Sequence, residues 1–269
     1  MDTIGLIAAM PSESGALLRI VSGWKRVKLG PFRGASFYIG KRDCVLVTSG
    51  MGVRRAGEAT RILIEAFQPA CVVSFGIAGA VHEDLKIGDV VMARLTGSLE
   101  KGFLSPFQNL ATLSDEACKA ATQALSLHGA RLVPGTAVTT AGSQLVLQQS
   151  LELVNPVLEM ETAGILQATE ASGTPLVVLR AVSDNPSAPI PFDLATVMDD
   201  DSNLKPGRLI SMLLKNPRLL LQSGQMMKNS RIAADNAAIV VTAILGLSVP
   251  AAALLGNKGV QPANTDSSE

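Results

Sequence analysis

Uninterrupted apolar runs alternate along most of the chain with stretches whose apolar residues recur every three or four positions. Thr3-Ile-Gly-Leu-Ile-Ala-Ala reads as a buried strand, and Pro11-Ser-Glu-Ser as a loop entering a helix at Gly15-Ala-Leu-Leu-Arg-Ile. Ala35-Ser-Phe-Tyr-Ile-Gly and Asp43-Cys-Val-Leu-Val-Thr-Ser, parted by Lys41-Arg42, read as a hairpin or meander. Gly50-Met-Gly opens a helical pattern through Ala56, Ala59, Ile62 and Leu63 to about Phe67. Ala70-Cys-Val-Val-Ser-Phe is a further strand, stopping on the glycine corner Gly76-Ile-Ala-Gly-Ala. Val90-Val-Met-Ala and Gly135-Thr-Ala-Val-Thr-Thr read as strands around a helix at about 115–127. Glu159-Met-Glu-Thr-Ala begins another helix, and Pro175-Leu-Val-Val-Leu-Arg-Ala is a strand that finishes on Ser183 and Asp184.

Strands alternating with helices imply right-handed crossovers, a mostly parallel sheet, and ligand binding at the carboxyl ends of its strands. Beyond Asn185 the chain turns loop-like, with Pro186, Pro189, Pro191 and Asp199-Asp-Asp. Two more helices are expected, at about 207–221 and 229–247. A single domain would then span 1–258, with extra C-terminal helices from about 207, before a polar, disordered tail at 259–269. The apolar run 237–255 has the length to span a bilayer, but Gly246, Ser248 and Pro250 favour a buried helix followed by a turn.

Composition narrows the class. Hydrophobic residues make up 47% of the 269 positions and aromatics only 3%, so Val, Ile, Leu and Ala must fill the core, as suits a sheet buried on both faces. The 23 basic and 23 acidic residues balance, and no basic run alternates with aromatics, which argues against a nucleic-acid partner. Cys44, Cys71 and Cys118 are widely spaced and odd in number; they read as small core residues of a protein in a reducing cytoplasm. Asp2 stands where a signal peptide would be basic, so no leader is read. Neither His82 nor His128 joins the cysteines at a metal-ligand spacing, and no Gly-x-x-x-x-Gly-Lys loop occurs, so neither metal nor cofactor is implied.

Four polar corners would converge on such a sheet: Met10-Pro-Ser-Glu13, Ser49-Gly-Met51-Gly, Gly76-Ile77-Ala78-Gly79, and Glu159-Met160-Glu161 with Ser183-Asp184. Their order and spacing, in Ala9-Met-Pro-Ser-Glu, Thr48-Ser-Gly-Met-Gly, Gly76-Ile-Ala-Gly, Leu158-Glu-Met-Glu-Thr-Ala and Arg180-Ala-Val-Ser-Asp, resemble the nucleoside phosphorylase superfamily. The likeness is greatest to nucleosidases that split methylthioadenosine and S-adenosylhomocysteine. It implies a three-layer α/β/α sandwich with a mixed, mostly parallel sheet, a small-molecule nucleoside as partner, and a homo-oligomer, most simply a dimer. It also implies roles for single residues. Asp184 would protonate N7 of a departing purine, oriented by Ser183. Glu13 would hold a water at the anomeric carbon, helped by Arg180, and Glu161 would accept the ribose hydroxyls. Met10, Met51, Ile77, Ala78, Gly79, Met160, Ser143, Gln144 and Phe192 would line the nucleoside.

Blander roles stand beside these. Asp184 before Asn185-Pro186 suits a turn or helix cap, and Glu159 and Glu161 suit a helix's first turn. Two departures also matter: Thr139-Thr-Ala-Gly-Ser-Gln lacks the aromatic expected against a purine, and Ile77 replaces a small polar residue. A phosphorylase and a non-catalytic binding module are therefore alternatives, although one arginine is a thin phosphate site. The C-terminal Lys205-Pro-Gly-Arg, Asn216-Pro-Arg-Leu-Leu-Leu and Met226-Met-Lys-Asn-Ser-Arg resemble the hopanoid-pathway branch of the superfamily, which removes adenine from an adenosylated lipid. Leu209, Ile210, Leu213, Leu214, Met226 and Met227 would then line a lipid route, and 237–255 would touch a bilayer peripherally. Packing of these residues in the core is the commoner fate at helical spacing.

Overall fold

The computed structural model describes residues 2–100, 102–140, 153–186 and 217–256, with side chains of the last stretch from Gly224 onward. Strand β1 (Thr3–Ala8) is buried at every position after the first, so it is apolar without alternation. It lies between two parallel partners, β4 (Arg42–Thr48) and β5 (Cys71–Ala80). Strand β11 (Leu176–Asp184) follows β5 in parallel. On its far side β6 (Val90–Glu100) runs antiparallel and carries the two-residue strands β7 (Phe103–Leu104) and β8 (Gln108–Asn109), and β9 (Leu132–Thr140) pairs in parallel with β6. The short β10 (Pro156–Glu159) runs parallel to β9 and also reaches back to β5, pairing Val157 with Ala80 and Leu158 with Gly79. The sheet therefore closes on itself through β5, β11, β6, β9 and β10. At the other edge β3 (Phe32–Ile39) forms the expected hairpin with β4, and β2 (Lys25–Leu29) extends it antiparallel.

Helices cover both faces, as the alternation of runs requires. On one side α1 (Pro11–Ile20), α3 (Asp115–Ser126) and α5 (Pro217–Leu245) bury Leu17, Ala121, Ala237 and Val241 against Leu6, Phe75 and Leu179. On the other, α2 (Val53–Phe67) and α4 (Thr162–Ser172) bury Ala59, Leu63 and Ile165 against Ile7, Val72 and Val178. Cys44 and Cys71 sit in the core, where burial pushes both thiols up to about 12.

Several expectations are corrected. Pro11 opens α1 as its first helical residue, which places Glu13 on a helix and not in a loop. Gly76 to Gly79 is no corner beyond a strand, because β5 runs through it to Ala80. Glu159 closes β10, and the helix expected there begins only at Thr162. The two C-terminal helices are one continuous helix from Pro217 to Leu245. Gly224 weakens an exposed helix by about 1 kcal/mol, too little to break one anchored further along by a fully buried face. Residues 207–216, with Leu209, Ile210, Leu213 and Leu214, and the tail 259–269 lie outside the described residues.

The helical part of the apolar run 237–255 is largely buried, as the reading of a buried helix followed by a turn expects. Ala237, Ala238, Val240, Val241, Ile244, Leu245, Ala251 and Leu254 are all buried. Among the described residues no helix is long and apolar enough to cross a membrane. Arg42, itself buried, donates to the carbonyls of Leu245, Leu247 and Val249 and so closes the C-terminal end of α5.

Helices α2 and α4 approach with backbone against backbone: a Cβ on Gly164 would come within 2.0 Å of the Val53 carbonyl oxygen. Gly164→Ala is expected to force the pair apart and destabilise the protein by about 1–3 kcal/mol, read as a lower denaturation midpoint.

Candidate active site

Three carboxylates are withdrawn from water where β1, β5, β10 and β11 end. Glu13, on the first turn of α1, turns back to accept from the Met10 N–H at 2.8 Å, the reach of a capping-box glutamate. Its other oxygen accepts from the Ile77 N–H at 2.9 Å, so it also ties α1 to β5. Space for it exists because position 76 is glycine; a Cβ there would lie 2.6 Å from Glu13 Oε1. Burial pushes Glu13 upward, against the hydrogen bonds from Ile77 and Met10 and the charge of Arg180.

Asp184 is aimed by an irregularity. Val182 pairs with Ala78 and Asp184 with the very next residue, Gly79, so Ser183 is extra and the strand bulges. A bulge shifts the side chains after it relative to the partner strand. Ser183 Oγ donates to Asp184 Oδ1 at 2.7 Å, and Oδ2 lies over Gly79, where a Cβ would approach to 2.7 Å. Burial raises the Asp184 pKa while the hydrogen bond from Ser183 opposes it.

Glu161 sits between β10 and α4 and is buried. Its Oε1 accepts from the Gly52 N–H at 3.0 Å, at the start of α2. Its pKa is pushed up to about 7, first by burial and then by the negative charge of Glu159, with Arg180 and the Gly52 N–H pulling back. Glu159 behaves oppositely. Burial raises it, but the Arg180 charge and hydrogen bonds from Thr139, Arg180 and Thr162 outweigh that and hold it below the ordinary value.

Arg180 faces this group from β11. One terminal nitrogen donates to Glu159 at 2.9 Å, to Ser74 Oγ at 3.0 Å and to Thr162 Oγ1 at 3.1 Å. Glu13, Ser74, Gly76, Ile77, Glu161 and Arg180 line a cavity of about 10 Å³, close to the least that holds one water.

Of the residues the sequence points to, Glu13, Ile77, Ala78, Gly79, Glu161, Arg180, Ser183 and Asp184 gather at these strand ends. Met10 caps α1, Met51 lies just before α2, and Met160 separates the two glutamates. Ser143, Gln144 and Phe192 lie outside the described residues. Ser74, Thr139, Glu159 and Thr162 were not anticipated as a network. One signal was available: a lone Arg180 inside an apolar strand needs a buried acid. Among the described residues no group of His, Cys, Asp and Glu could hold a metal ion.

Comparison with known proteins gives this geometry a context. The sequence profile of the Phosphorylase superfamily matches residues 3–246. A 5′-methylthioadenosine/S-adenosylhomocysteine nucleosidase of Listeria monocytogenes is 30% identical over 215 residues, covering 71% of this chain and 91% of the relative. The Tolumonas auensis nucleosidase of the same name is 28% identical over 230 residues, 78% of this chain and 98% of the relative. Among solved structures, the Neisseria meningitidis nucleosidase with methylthio-immucillin-A superposes with a TM-score of 0.65 at 23% identity, covering 91% of this chain and 99% of that one. Futalosine hydrolase of Helicobacter pylori gives a TM-score of 0.64 at 18% identity, with 90% and 96% covered. At these identities the structural likeness is one of fold.

The raised Glu161 has a measurable consequence. A buried acid whose folded pKa lies above its unfolded value stabilises the fold fully below about 4.5, and that contribution is lost as pH rises through about 7. Glu161→Gln is expected to flatten this loss: between pH 5 and 8 its unfolding free energy should fall less than that of the parent, in denaturant titrations at each pH.

Proposed function

The chain belongs to the Phosphorylase superfamily, and on that footing we propose that it hydrolyses the N-ribosidic bond of an adenine nucleoside carrying a small 5′ substituent. The observation that carries this reading is the meeting of three buried carboxyl groups, all raised, at one set of strand ends. Cleaving the bond to a purine requires a proton on the base, a nucleophile below the sugar, and a grip on the sugar while positive charge spreads over its ring. Asp184, whose pKa burial raises, supplies the proton to N7. Glu13, held by two backbone N–H groups beside a cavity of water size, positions the water and takes its proton. Glu161 in its ionised form accepts the ribose hydroxyls, with Met160 beside the sugar.

Water is favoured over phosphate because Arg180 is the one cation among the residues lining the cavity. Its terminal nitrogens are engaged, one by Glu159, Ser74 and Thr162 and the other by the Leu179 carbonyl, which leaves only its buried Nε without a partner. Arg55 donates to the Ser49 carbonyl at 3.1 Å and lies 6.0 Å from the Phe32 ring centre. A phosphate would need cationic donors turned toward it. A homodimer in the cytoplasm completes the reading; large apolar side chains left in solvent, Phe103 at 80% and Val154 at 62% exposed, support a partner surface.

Incubation with adenosine, inosine and 5′-methylthioadenosine tests the reaction. Free adenine at equal rates with and without phosphate is expected; ribose 1-phosphate would show a phosphorylase, and no base from any nucleoside would show a binding module. Asp184→Asn should lower kcat by roughly 10²–10⁴ while KM changes little, because the proton is delivered only in the transition state. Glu13→Gln should behave alike. Equal losses in binding and turnover would give both residues a structural role instead.

A further inference from the structure

Resting on the reaction proposed above, we infer that Glu159 is a positioning residue whose task is to cap helix α4, so that Glu161 is left free to hold the sugar. Glu161 occupies the N-cap position of α4, yet its side chain makes no capping bond. An acid at that position ordinarily turns back onto the exposed N–H groups of the first turn. Here those groups are already taken. Glu159 accepts from the N–H of Glu161 at 3.1 Å and of Thr162 at 2.9 Å, and from Thr162 Oγ1 at 2.8 Å. Thr139 Oγ1 donates to Glu159 at 2.5 Å and accepts from the Ala163 N–H at 3.1 Å, which satisfies the next donor. With its own helix supplied, the Glu161 carboxylate turns instead to Gly52 across the gap to α2.

Arg180 makes the arrangement tolerable, since the buried charge of Glu159 is paired at 2.9 Å. The charged groups acting on Glu161 are Glu159 on β10, Arg180 on β11 and Glu13 on α1, together with the Gly52 N–H before α2. Arg55, on the first turn of α2, is turned to the Ser49 carbonyl. Glu159 thus both releases Glu161 and, as a like charge beside it, makes its ionisation harder.

Glu159→Gln in the full chain separates this role from a merely structural one. Two readouts are needed: the pH profile of kcat/KM for 5′-methylthioadenosine, and the preference for adenosine over 3′-deoxyadenosine. Removing the like charge should move the acid limb to lower pH by about one unit. The preference for the 3′-hydroxyl should fall by about tenfold, the effect of a hydrogen bond to a charged group. If Glu159→Gln does not fold, Thr139→Val, which removes one donor to Glu159 and the acceptor for the Ala163 N–H but keeps the ion pair, should lower the preference for the 3′-hydroxyl by a smaller factor and leave the acid limb in place. An unmoved acid limb and an undiminished preference, whatever the loss of activity or stability, would overturn the inference. A parent protein that releases no adenine would instead overturn the reaction it rests on.

Discussion

Arg180 and Glu159 face each other at 2.9 Å with both side chains almost wholly out of water, and the surrounding residues are those needed to make that bearable. A buried ion pair is tolerated when other hydrogen bonds take up its remaining donors and acceptors. Ser74 from β5, Thr139 from β9 and Thr162 from α4 supply most of those bonds, and the Arg180 Nε alone is left without a partner. One electrostatic requirement therefore joins four strands and a helix at the end of the sheet where the chemistry is placed. It leaves Glu161, one residue beyond Met160, under the like charge of Glu159, with its pKa raised to about 7.

Room for the other two carboxyl groups comes from missing atoms. Gly76 and Gly79 both lie within β5, and each is a place where a methyl group would collide with an acid, Glu13 in one case and Asp184 in the other. The two glycines are three residues apart on one strand, so the acids are brought to a common edge although they lie 171 positions apart in sequence. Close approach of this kind excludes water, and exclusion of water raises the pKa of both carboxyl groups.

The C-terminal segment acts on the site through packing. Helix α5 fills the face between α1 and α3, and Arg42 secures its far end. Asn236 on that helix donates to the Gly88 carbonyl at 2.8 Å, and the Gly88 N–H donates to the Val182 carbonyl at the start of the bulge. The helix thus supports the backbone that presents Asp184.

The order of strands and helices, and the identity of Glu13, Glu161 and Asp184 as acids at strand ends, follow from local pattern and motif spacing. A run of apolar residues must be covered on both sides, and a charge at its end must meet either solvent or a ligand. Other features follow from no local pattern. That Gly76 to Gly79 stays in the strand depends on β11, which pairs with it from Arg180 to Asp184 about 105 positions later, and on β10, which returns to pair with Gly79 and Ala80. The bulge at Ser183 depends on the register with β5, and Glu159 reads as a helix acid until Arg180 is set against it from another strand. Likewise the run 237–255 has the same hydropathy whether it faces lipid or a sheet. Periodicity records how much of a residue is hidden from water; which partner hides it is decided only when distant strands and helices meet.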